Sequence, residues 1–176
     1  RVPEAIQNLE KARNIDGSYQ MVPFLFANIY QEAGQPEKAL LEIENAFELG
    51  LPKLAGFPVW GFIMIDLGRG DEVMQALRAE DIESMKAIIF RLRSKYYRLR
   101  GEFPLALRDA EQSVALDETD PLGYKEMAEV YLAMGRFDQA LQDMQRALEL
   151  TMPETFARRR LTERLKEMQS YRSPSG

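Results

Sequence analysis

The chain has 176 residues, 45% of them apolar and 29% charged, which suits one domain with a core of its own. Its formal net charge of −5 argues against a surface that attracts nucleic acid or anionic membrane as a whole, although local basic patches stay open. With no Cys and no His it has no disulfide, thiol nucleophile, Cys/His zinc site or imidazole base, so no metal or cofactor is expected and any catalysis would fall to carboxylates, Lys or Tyr.

The chain opens Arg1-Val2-Pro3 rather than with Met and shows no signal peptide, which reads as a fragment or a processed product. No apolar run reaches the ~18 residues of a membrane helix. A chain without thiols suits the cytoplasm and the periplasm equally, so the compartment stays unread. Residues 1–19, with PEAIQNLEKA at their heart, read as one amphipathic helix over 2–14, a second helix whose first is missing. Residues 20–53 read as a helix pair. Phe26, Ala27 and Tyr30 lie on its first helix, Gly34 at that helix's end, Pro36, Ala39 and Ile43 on the second, and Pro52 beyond.

Residues 54–86 contain GFIMIDLGRGDEV, Gly61 to Val73, which in isolation could be a buried strand entering a phosphate-binding glycine loop. Such a loop needs a parallel sheet around it, and nothing else in the chain alternates like strands. Residues 61–67 are therefore expected to end a first helix and 71–80 to form a second. Residues 87–120 repeat the plan with Phe90, Arg93, Ser94, Tyr97, Gly101, Pro104, Ala106 and Ala110. Residues 121–153 give the clearest pair: Tyr124, Met127, Ala128 and Tyr131 at i, i+3, i+4, i+7, then Gly135, then Phe137, Ala140, Leu141, Met144, Ala147 and Leu148. Residues 154–172 form a last amphipathic helix with Phe156, Leu161, Leu165 and Met168 on one side and Arg158, Arg159, Arg160, Arg164 and Lys166 on the other. This is a capping helix or, alternatively, a basic docking surface. Residues 173–176 are expected to be a frayed tail.

These pairs share a fixed period. Gly34, Gly68, Gly101 and Gly135 recur, and so do Ala39, Val73, Ala106 and Ala140; extending the second series backwards reaches Ala5. The recurring large residue, small residue and Tyr of each first helix, with the Ala of each second, resemble the tetratricopeptide repeat. The second complete unit is the weakest, with Phe57, Trp60, Gly61 and Met64 in the first-helix places and Val73 for Ala. The resemblance implies an all-α fold, a right-handed α-solenoid of antiparallel helix pairs with a C-terminal capping helix.

It also implies a concave groove lined by first helices, onto which Phe24, Asn28, Gln31 and Glu32, then Pro58, Phe62 and Ile65, then Arg91, Lys95 and Arg98, then Lys125, Glu129 and Leu132 would point. Phe62 and Ile65 either form an apolar floor or pack against neighbouring helices. Residues 86–100 hold six basic residues and no acid, while 109–120 hold five acids and no base. That segregation either makes a positive field for an acidic ligand or is consumed in internal pairs. Arg93 stands where Leu is usual and, if buried, needs a carboxylate from an adjacent helix. The chaperone-binding carboxylate clamp of some family members is absent. Asn28 has Phe24 where the Lys belongs, and the later positions are Ile88 and Leu92; starting one unit later gives Pro58 and Phe62, which fails again.

The expected function is a non-catalytic scaffold or adaptor, part of a larger protein, that binds a partner peptide or helix with apolar and acidic residues. Homo-oligomers stay open. The alternatives are single-stranded RNA binding, with Phe90, Tyr96 and Tyr97 stacking bases, and the regulatory repeat domain of a larger enzyme or regulator. Net charge and the repeat signature disfavour nucleic acid.

Overall fold

The computed structural model describes residues 2–79, 85–153 and 155–172, and among them every regular element is an α-helix. The expected tail at 173–176, the side chain of Phe156 and residue Glu80 lie outside the described residues. The chain divides into two compact units, residues 1–80 and 81–176.

The first unit holds α1 (Val2–Ile15), α2 (Met21–Glu32), α3 (Pro36–Glu48), α4 (Lys53–Asp66) and α5 (Gly70–Ala79). Helices α2 and α3 form one antiparallel pair, α4 and α5 the next, and α1 packs on α2. GFIMIDLGRGDEV thus ends one helix and begins another. Gly34 and Gly68 adopt φ of 68° and 74°. In that left-handed turn the N–H of Gln35 reaches back to Tyr30 O at 2.9 Å and that of Arg69 to Met64 O at 2.8 Å, which satisfies carbonyls the helix end would leave bare. Pro36 opens α3, where its missing N–H removes nothing. Ala27, Ala39, Ile43, Ala46, Leu51 and Ile63 form the core, with Tyr30, Phe47 and Trp60 packed against it. Three of these six are alanines, and their small side chains let the helix backbones approach closely.

The second unit holds α6 (Lys86–Leu99), α7 (Phe103–Leu116), α8 (Pro121–Ala133), α9 (Phe137–Leu150) and α10 (Phe156–Arg172). It pairs α6 with α7 and α8 with α9, and α10 covers α9. Asp120 caps α8 by accepting the Leu122 N–H at 2.9 Å. Ala128, Ala140, Met144, Ala147, Leu148, Leu161 and Met168 build its main core, with Tyr124, Tyr131 and Leu165 around it. The architecture is an α-solenoid of helix pairs.

Candidate partner-binding faces

In the first unit the two first helices, α2 and α4, touch, and Gln31 Nε2 donates to Asp66 Oδ2 at 3.5 Å across them. Asn28 turns its amide back onto Phe24 O at 2.8 Å, so its donor serves its own helix. Phe24, Pro58 and Phe62 are half-buried. Ile65 is only 3% exposed and belongs to the packed interior rather than to a surface.

In the second unit the corresponding helices, α6 and α8, also touch, and here the face is built from ion pairs. Arg91 is 8% exposed, with Nη1 3.6 Å from Asp120 Oδ2. Burial pushes its guanidinium below the ordinary range, and Asp120 and Glu126 pull it back. Arg98 Nε donates to Glu126 Oε1 at 3.2 Å. Glu129 accepts two hydrogen bonds at 2.7 Å from Arg164 of α10. Burial raises the Glu129 carboxyl, but Arg164, with Arg98 and Lys125 behind it, outweighs burial and holds it below the usual range. Lys95 is half-buried and Lys125 exposed.

Arg93 finds the carboxylate expected of it: Nη2 donates to Asp109 Oδ1 at 3.2 Å and Nε lies 3.0 Å from Oδ2, from α6 to α7. The segregated charge of this unit is thus largely spent internally, on Asp120, Asp109 and Glu126. Arg93 also lies 5.6 Å over the Phe90 ring and Arg100 5.3 Å over Tyr96, while Tyr96 meets Tyr97 edge-on at 5.4 Å. One face of the Phe90 ring and one of the Tyr96 ring thus carry the protein's own guanidinium groups. Among the described residues no group of three or more acids, His or Cys is placed to hold a metal ion, and no helix is long and apolar enough to cross a membrane.

Residues 121–152, the α8–α9 pair, match the family profile described as tetratricopeptide repeat. That pair is a tetratricopeptide repeat. No curated protein sequence matches the chain. Solved structures share its fold. A thermophilic tetratricopeptide-repeat protein of Thermus thermophilus is similar at a TM-score of 0.69 and 24% identity over 97% of this chain and 91% of that one. The C-terminal part of a repeat-containing protein from Cytophaga hutchinsonii gives 0.53 and 22%, over 99% and 69%. PilW, described as a widely conserved type IV pilus biogenesis factor, gives 0.60 and 18%, over 96% and 79%.

The sequence-derived face residues separate by unit. Phe24, Pro58 and Phe62 are half-buried on α2 and α4, with Phe24 packed against the core, and Ile65 is buried; Arg91, Lys95, Arg98, Lys125 and Glu129 lie on α6 and α8. The sequence reading left internal pairs open as one of two alternatives but did not name the partners: Asp120 at the start of α8 and Glu126 on it answer Arg91 and Arg98, and Arg164 of α10 answers Glu129. The signal was present as spacing. Arg91–Asp120 and Arg98–Glu126 lie 29 and 28 residues apart in sequence, and Gln31–Asp66 and Glu129–Arg164 both lie 35 apart, close to one repeat.

Proposed function

We propose that this chain is a non-catalytic interaction module that anchors an apolar segment of a partner peptide or helix on Phe24, Pro58 and Phe62. The observation that carries the reading is the contrast between equivalent positions. Where the second unit places Arg91, Lys95, Lys125 and Glu129, the first places half-buried aromatic rings and a proline on two touching helices. Rings on rigid helices offer large contact area at little entropic cost, which is the make-up of interaction hot spots. In the second unit the exposed Lys125, with Lys95 on the neighbouring first helix of the same face, gives acidic residues of a partner something to meet, while Arg91 and Arg98 hold the face in shape. The tetratricopeptide-repeat fold supports the reading, since repeat solenoids present extended faces of this kind.

Selection of a displayed random-peptide library tests it. The wild-type chain enriches peptides with two or more large apolar residues, and Phe62→Glu or Phe24→Glu, each verified as helical by circular dichroism, loses them by at least tenfold. Selected peptides that bind wild type and both variants alike would put the binding surface elsewhere.

A further inference from the structure

Pro58 differs from the other prolines of the described helices. Pro3, Pro23, Pro36, Pro104 and Pro121 stand within the first three residues of α1, α2, α3, α7 and α8, where no carbonyl four residues back belongs to the helix. Pro58 is the sixth residue of α4, so the carbonyl of Leu54 lies inside the helix and has lost the N–H that would close on it. At the matching place in α2 that bond is made, the Phe24 N–H donating to Gln20 O at 3.4 Å.

A donor from outside the helix reaches the corresponding carbonyl of α6, where Ser113 Oγ donates to Ala87 O at 3.1 Å. The residue that matches Ser113 in the α4–α5 pair is Glu80, whose ionised side chain has no hydrogen to give. Around the Leu54 acceptor α4 is apolar. Between Lys53 and Asp66 it has no charged side chain and no side-chain oxygen, Leu54 is 48% exposed and Pro58 is half-buried.

We infer that the partner segment anchored on α4 carries a tryptophan there, its ring against Pro58 and its indole N–H on the Leu54 carbonyl. This deepens the function proposed above and rests on it. The indole joins a large apolar body to one neutral donor and brings no acceptor of its own. Lysine or arginine would set a second positive charge beside Lys53 on an apolar face. Phenylalanine or leucine would fill the same space and leave the carbonyl unanswered.

Peptides selected on the native chain from a displayed random library should be enriched in tryptophan, above its share of the library, at one anchor position. In such a peptide the tryptophan is replaced by benzothienylalanine, which keeps the ring shape and exchanges the N–H for sulfur. Binding to the native chain weakens about fivefold. Pro58→Ala restores the N–H and closes the Leu54 carbonyl within α4, so that chain melts at a higher temperature than the native one and binds the two peptides equally. Selected peptides without tryptophan, equal binding of both peptides by the native chain, the same loss in Pro58→Ala, or a melting temperature that does not rise overturns the inference. Those results leave the apolar anchor standing as long as Phe62→Glu still loses the selected peptides. Peptides that bind Phe62→Glu unchanged remove the anchor and the inference together.

Discussion

Gly56 shows how one missing Cβ sets a helix approach. A Cβ built there lies 2.4 Å from Phe47 Cε1 and 2.7 Å from Cζ, so α4 rests on the Phe47 ring at a distance only glycine allows. Gly56→Ala gains up to about 1 kcal/mol of helix propensity but must displace a ring packed on the core, an overpacking cost of about 1–3 kcal/mol. We expect a net loss of about 1–2 kcal/mol in urea unfolding, mostly recovered when Phe47→Leu is added, because the hardest clash is with that ring. Unchanged stability in Gly56→Ala would mean that the ring tip swings aside freely. Neither Gly56 nor Gly50, which ends α3 at φ 95°, was legible in the sequence, whereas Gly34, Gly68, Gly101 and Gly135 were. The difference is physical. The four lattice glycines end the first helix of every pair and so repeat, while Gly50 ends a second helix in the same left-handed way, and Gly56, like Gly123, meets a side chain of the preceding second helix, in only some of the units.

At the scale of the element, α10 was legible as an amphipathic helix, but the work of its arginines was not. Arg158 donates from Nη1 to Leu148 O and to Thr151 O at 2.7 Å, closing the bare C-terminal carbonyls of α9, and Arg164 grips Glu129 with both ends of its fork. Composition shows only a basic stripe; which members are consumed depends on acceptors brought in by other helices. Glu129 is 13% exposed at its side chain, so removing Arg164 leaves a carboxylate in poor solvation. We expect Arg164→Ala to cost about 2–4 kcal/mol and Glu129→Leu/Arg164→Leu to recover most of it, since a well-packed apolar pair replaces a buried ion pair at little loss. A double-mutant cycle read by chemical denaturation checks this. Additive single losses would show that α10 is held by Leu161 and Met168 alone, both buried in the core beneath it.

For the chain as a whole, pH sets two opposed carboxylate effects against each other. Asp143 of α9 has an Oδ2 buried without a hydrogen-bond partner, and burial raises its pKa from 3.8 to about 6. Between those values the native state holds more protons than the unfolded one, so stability falls as pH rises through the window and is regained on acidification. Burial acts in the same sense on Asp109, opposed by Arg93 and Arg108. Because Asp143 is only half-buried, its share is no more than about 2 kcal/mol after solvent screening. Glu129 works the other way. Held below the ordinary value of 4.5 by Arg164, it contributes stability above that value and loses it as pH falls through its folded pKa. Thermal unfolding followed by circular dichroism should therefore show a stability maximum on the acid side of neutrality, at about pH 5, rather than a plateau up to about pH 8. Asp143→Asn cannot ionise and should flatten the upper limb while leaving the acid limb in place. Glu129→Gln should do the reverse. A profile in Asp143→Asn that still falls between about pH 5 and 7 as steeply as the native one would remove Asp143 from the account.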